Sequence, residues 1–289
     1  VTDAASAHPG AVSDIERWRR DYRRNRTRRS TSIATASTLF VAAVLWLGIS
    51  HAPGWPLVHR TYFSGSVFRS TFPDVARGLW LNVRILVVGE VLILVLAVIV
   101  AGLRTLTGAV FFPIRVLMTI YVDVFRGMPL IVLLYLIGFG IPSLDISWLP
   151  KAPVVLGTAA LVLTYGAYVA EVLRAGVQSV HPSQRAAARS LGLTQNQTLR
   201  LVLLPQGIRA VLPALLNDFV ALQKDVGLVS IVGVIDAVRA AQIDNQILFN
   251  YTPYVIAAGL FIALAVPCAR FADHVAARTN TRQRAGAVV

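Results

Sequence analysis

A chain of 289 residues that is 56% hydrophobic and only 14% charged has too little polar surface to coat a water-soluble globule, which makes it an integral membrane protein. Its net charge of +13 does not make it a nucleic-acid binder, because the cations lie mainly between apolar runs and not in one surface patch. The lone Cys268 excludes a disulfide framework and a thiolate metal site, and histidines 8, 51, 59, 181 and 274 lack ligand or catalytic spacing, so neither a metal nor an enzyme site is expected.

Residues 1–32 read as a basic N-terminal tail. Ser13 and Glu16 have capping-box spacing, and Ile15, Trp18 and Tyr22 make a sparse apolar stripe among Arg17, Arg19, Arg20, Arg23 and Arg24. This predicts a short helix lying on the inner leaflet, serving either lipid sensing or, more simply, topology and anchoring. No small-residue site stands where a signal peptidase needs one, so the first apolar run is expected to be retained.

A bilayer core of about 30 Å requires some twenty helical residues. Six stretches qualify: Ile33 to Ser50, Leu79 to Gly102, Val116 to Ile141, Pro153 to Val172, Ala210 to Val234 and Tyr251 to Phe271. Residues 51–78 read as an external loop and 273–289 as a cytoplasmic tail. An even number of spans puts both termini on one side. With the N-terminus inside, 19 Lys and Arg fall on the cytoplasmic side and 5 on the other, so the positive-inside rule fixes the orientation. Trp55, Trp80, Trp148, Tyr251 and Tyr254 fall near the outer ends of spans, where amphipathic rings settle.

Between the fourth and fifth spans lies a long polar segment, Glu171 to Arg209. Pro182 suits a first helical position, Gln184 to Leu191 is rich in Ala and Arg, and Gly192 suits a left-handed stop. Thr194 with Gln197 then makes a capping box, and Pro205 discourages continuation beyond Leu204. The expectation is two short helices joined by a bend, with alanines giving one close-packing face and Leu199, Val202 and Leu203 another. Such a pair is either a docking site for a soluble protein or a linker.

The spacing of this segment resembles the cytoplasmic coupling loop, or EAA motif, of ABC importer permeases. There Glu-Ala-Ala is followed by three residues, Gly, nine residues and Ile-x-Leu-Pro; here the positions hold Ala186-Ala187-Ala188, Gly192 and Val202-Leu203-Leu204-Pro205. Further matches resemble the polar amino-acid branch. They are Gly78 with Asn82-Val83 against Gly and Thr-Leu, Tyr121-Val122-Asp123-Val124-Phe125-Arg126-Gly127-Met128-Pro129-Leu130, Glu171 with Arg174-Ala175-Gly176, Leu204-Pro205-Gln206-Gly207, and Lys224-Asp225. Two departures stand out. Ala186 occupies the usual Glu position, and Val226-Gly227 replaces the usual Thr-Ser.

The resemblance implies an all-α, type I ABC importer permease of residues 79–272, with an extra N-terminal span at 33–50 that it does not cover. It implies a transport subunit in a bacterial cytoplasmic membrane that carries a polar amino acid. A second permease of the same or related sequence, cytoplasmic ATPases and an external binding protein would complete the complex. The chain itself has no Gly-x-x-x-x-Gly-Lys-Ser/Thr loop, and Lys151 and Lys224 are its only lysines, so ATP and magnesium would be bound by the partner. Ala186, Ala187, Ala188, Gly192, Leu193, Val202, Leu204 and Pro205 are the expected ATPase-coupling residues. Charges and amides within spans cost free energy unless paired or watered, which singles out Glu90, Arg126, Asn217, Gln223, Lys224 and Asp225 as candidates for the substrate path or for packing ion pairs. Asp123 and Asp218 lie beside them. An ion-coupled secondary transporter or a channel is the alternative reading.

Overall fold

A computed structural model describes residues 14–106 and 108–286, and every regular element among them is helical. The chain divides into two units, residues 1–60 and 61–289.

Helix α1 runs from Asp14 to Ser50 in one piece. The separate surface helix expected before the first span is therefore not present; no Gly or Pro falls between residues 14 and 47 to interrupt the helix. Ser13, where the expected capping box would begin, lies outside the described residues. From Ser30 to Ile49 every residue of α1 is exposed.

The expected external loop at 51–78 is also corrected. Helix α2 spans Trp55–Tyr62, and α3 runs from Gly65 to Arg104, so the second span begins well before Leu79. Arg69, Pro73, Asp74 and Arg77 lower the hydropathy of this stretch, but all four are exposed. Along the opposite face Thr71, Val75, Gly78, Asn82, Ile85, Gly89, Ile93, Ala97 and Val100 are buried at three- to four-residue intervals, one continuous helical stripe.

The expected third span is broken. Helix α4 (Phe112–Gly127) and the α5 segment (Leu130–Tyr135), which continues through a π turn into α6 (Ile141–Ser143), meet at 106°. Met128 precedes Pro129, and the proline ring forces it out of the helical region to φ −93°, ψ 131°. The described residues thus hold five helices able to cross a membrane, or six if the bent pair is one span.

Helix α7 (Pro153–Ser179) is the centre of the larger unit, with more than half of its apolar window buried. It packs on α3, α4 and α10. Small residues permit this: Gly166 faces Leu96, and Gly176 faces Gly207, where an added Cβ would come within 2.8 Å of the Gly207 carbonyl oxygen. Helices α8 (Pro182–Ser190) and α9 (Gln195–Thr198) lead through a π turn, Leu199–Leu203, into α10 (Leu204–Asp225) and a 3₁₀ turn, Val226–Val232. Helices α11 (Ala237–Leu248) and α12 (Thr252–Gly286) complete the chain.

A buried polar knot ties α3, α10 and α11 together. The Asn82 amide donates to the Val226 carbonyl at 3.1 Å and to the Asp236 carboxylate at 2.9 Å, while its oxygen accepts from Ala237 N–H at 3.1 Å. Asp236 also caps α11 by accepting from Arg239 N–H. Burial pushes the Asp236 carboxyl above its ordinary range, opposed by the Arg239 amide and Asn82. One turn before Asn82, Gly78 lies flat against the Asp236–Ala237 peptide, with no room for a side chain. Asn82→Leu strands these groups without partners, so thermal unfolding of the detergent-purified protein should show a loss of about 1–3 kcal/mol; an unchanged midpoint would mean that the knot contributes no stability.

Candidate functional site

The polar segment between α7 and α10 is built from local backbone chemistry. Helix α8 opens with Pro182 in its first turn and with His181 as its cap, the ring nitrogen accepting from Ser183 N–H. It ends in a Schellman motif: Gly192 takes φ +80°, its N–H donates to the Arg189 carbonyl at 2.9 Å, and Leu193 N–H donates to the Ala188 carbonyl at 3.2 Å. The capping box follows as the sequence predicts, with Gln197 N–H donating to Thr194 Oγ1 and Thr194 N–H donating to Gln197 Oε1.

Pro205 does not end the second helix, contrary to the sequence expectation. The widened π turn at Leu199–Leu203 precedes it and relieves the clash of the proline ring with the preceding turn, so α10 proceeds from Leu204 without a break. The Gln206 side chain donates to the Val202 carbonyl at 3.0 Å, occupying an acceptor beside the irregular turn. The elbow is therefore one short helix, a glycine bend and the start of a long membrane helix.

The expected coupling residues separate into two groups. Ala186, Ala187, Gly192 and Pro205 are exposed, Leu193, Val202 and Leu204 are half-buried, and Ala188 is buried at 2% exposure. Ala188 thus closes the packing of α8 onto the following turns, together with Thr198 and Leu203, and offers no surface to a partner, a correction to its expected role. Leu191 and Leu201, absent from the expected set, are 82% and 66% exposed. The signal for Leu191 was its place beside a left-handed glycine, which turns the residue before it outward.

Toward the C-terminal end of α7, Glu171 is paired with Arg104 of α3 at 2.7 Å and with Arg174 one turn away. Sequence matching singled out Glu171 and Arg174 but not Arg104, which is 67 residues away in the chain and is joined to them only by folding.

Within the spans the charged residues do not form one ion-pair set. Arg126 is exposed and stands 5.6 Å above the Tyr168 ring, and Asp123, Asn217 and Lys224 are also exposed. Gln223 is fully buried, and neither amide atom has a partner. Two half-buried carboxylates stand apart from these: Glu90 on α3 and Asp218 on α10, two helices that touch. The Tyr165 hydroxyl of α7 donates to Asp225 at 2.7 Å. Glu90 and Asp218 have no cationic partner among the described residues, and Asp218 Oδ2 is buried without a hydrogen bond. Carboxylates held this way are suited to a cationic group that arrives from outside the chain.

Residues 93–281 match the model of the family described as binding-protein-dependent transport system inner membrane component. The arginine transport system permease protein ArtQ of Bacillus subtilis (strain 168) is 31% identical over 207 residues, which cover 69% of this chain and 90% of ArtQ. The probable glutamine ABC transporter permease protein GlnM of the same organism is 34% identical over 60% of this chain and 78% of its own length. Among solved structures, one subunit of an amino acid ABC transporter crystallised with histidines aligns with a TM-score of 0.65 at 31% identity, covering 71% of this chain and 94% of that one.

Two substitutions test the elbow. Gly192→Ala imposes a left-handed conformation on a residue with a Cβ, at about 1–2 kcal/mol, and Ala188→Leu overpacks a closed seam at about 1–3 kcal/mol. Protease nicking between α8 and α9 should rise in both variants while membrane insertion persists; unchanged nicking would show that neither position holds the bend.

Proposed function

Since the chain belongs to the family of binding-protein-dependent transport system inner membrane components, we propose that it forms the path of an ATP-driven importer for a polar amino acid carrying a cationic group. The membrane-spanning permease is the family's part in an ABC transporter. The observation that carries the substrate reading is Glu90 with Asp218: two half-buried carboxylates on spans that touch, neither with a cation among the described residues. Two like charges are costly together in a low-dielectric span, and an ammonium or guanidinium between them removes the repulsion. A relative named for arginine transport supports the class.

In this reading both termini are cytoplasmic in a bacterial inner membrane, as the distribution of Lys and Arg supports. A second permease, identical or related, encloses the path with this one, and an external binding protein delivers the substrate. Cytoplasmic ATPases bind ATP and magnesium and drive the cycle through the elbow, which exposes Ala186, Ala187 and Leu191. Glu90 and Asp218 then meet the substrate cation. Asp225 is held back by Tyr165 and has a supporting place. Arg126 and Lys224, being exposed and forming no ion pair with either carboxylate, are assigned to packing or to the second permease.

Uptake into proteoliposomes containing the assembled transporter tests this. ATP-dependent arginine uptake should exceed glutamate uptake, and Glu90→Gln with Asp218→Asn should lower arginine transport about tenfold or more while glutamine transport falls less. Preference for glutamate would remove the acidic pair from the path. Substrate flux by this chain alone, without ATP, would favour the ion-coupled carrier or channel.

A further inference from the structure

From Val172 to Asn217 the sequence holds no acidic residue but five arginines, at 174, 185, 189, 200 and 209. Arg174 is taken up by Glu171. The other four are exposed, and none forms an ion pair among the described residues. The elbow is therefore a surface of one sign.

Its geometry orders these charges. Helix α8 buries Ala188, and at 3.6 residues per turn the direction opposite Ala188 is that of Ala186 and Ser190. Arg185 and Arg189, four residues apart, share one side of the helix between the buried direction and this outward strip, and Leu191 projects at its end with 82% exposure. The outward strip itself is small and uncharged. An approaching partner thus meets a smooth alanine–serine surface, a pair of guanidinium groups along one side and a protruding leucine.

We propose that the ATPase subunit receiving this elbow presents an acidic wall to Arg185 and Arg189 and an apolar pocket to Leu191. This rests on the importer reading above and specifies the chemistry of its partner. With Ala186 at the position of the motif's usual Glu, the permease contributes no carboxylate to the contact, so the charge complementarity runs in one direction only: cations from the elbow, carboxylates from the ATPase. Arg185 and Arg189 give two planar donor forks facing those carboxylates, and Leu191 is the anchor that excludes water beside them.

The chain's own scarcity of lysine supplies the test, since Lys151 and Lys224 are its only amines of that kind. The Arg185→Lys and Arg189→Lys variants keep the charge and add an amine that a zero-length carbodiimide can join to a carboxylate in direct contact. In the complex purified through a tag on this chain, carbodiimide should join these lysines to Asp or Glu of the ATPase subunit, as read by mass spectrometry of cross-linked peptides. Reversing both charges, Arg185→Glu with Arg189→Glu, should reduce the ATPase retained in the complex about tenfold or more. If the ATPase copurifies but its carboxylates are not joined, or if it remains bound to the charge-reversed elbow, the acidic-wall inference fails and the importer reading stands. If no ATPase copurifies with the unaltered chain, the importer reading fails and this inference falls with it.

Discussion

The close crossing of α7 with its neighbours is the constraint on which the larger unit depends. In lipid, apolar side chains gain little from leaving one hydrocarbon environment for another, so helices associate through close packing and through polar contacts. Helix α7 supplies the first by placing Gly157, Gly166 and Gly176 where α3, α10 and the 3₁₀ turn must approach. At the Gly176–Gly207 crossing the two backbones touch directly. Both glycines lie in stretches that the sequence had already marked as family-like, and their shared function is steric: a side chain at either would push α10 off α7 and carry the elbow with it.

Polar contacts then fix what packing leaves free. The Asn82 amide serves three groups at once, which a threonine, with one donor, could not do. This bears on one match to the family pattern, Asn82, and one departure from it, Val226-Gly227. Asn82 stands against the pattern's Thr, and the hydroxyls of Thr-Ser give way to Val226-Gly227. Folding brings them together, because the second Asn82 donor reaches the Val226 carbonyl where the 3₁₀ turn begins. The Tyr165–Asp225 bond holds the residue just before that turn. The end of α10 is thus tied to α3 and to α7 by two separate side chains, while the side-chain amide of Gln223, two residues before Asp225, has no partner.

What the sequence made legible was chemistry confined to a few neighbouring residues. The glycine stop at 192, the box at Thr194 and Gln197 and the proline start at 182 each depend on contacts within about one helical turn, and each stands as read. What it hid depended on which way a helix faces. Arg69, Asp74 and Arg77 made residues 51–78 look like a loop, although they occupy only the exposed side of a helix whose buried stripe is unbroken. Ala188 looked equivalent to Ala186 and Ala187, yet helical rotation turns it inward. Pro205 carried a correct local rule that a π turn overrode. Asp218 lay in view among the polar residues of the fifth span, but the contact of its helix with that of Glu90, 128 positions away in the chain, is made only by folding.

The π turn matters most for how the two candidate regions relate. Had Pro205 ended the helix, the elbow would be joined to the membrane by a loop, and a push on α8 would be lost in it. Instead α10 begins within the elbow and reaches Asp218 fourteen residues beyond Leu204, about 21 Å along one helix. Its stiffness is not uniform: Pro213 removes the amide that would bond to the Arg209 carbonyl, so bending concentrates between the Gly207 crossing and Asp218. Glu90 sits on α3, whose C-terminal end is pinned to α7 through Arg104 and Glu171. On the proposed reading, a displaced elbow therefore turns α10 about the Gly176–Gly207 crossing while α3 stays with α7. The separation of Asp218 from Glu90 changes with that turn, so the helix that receives the push also carries half of the acidic pair.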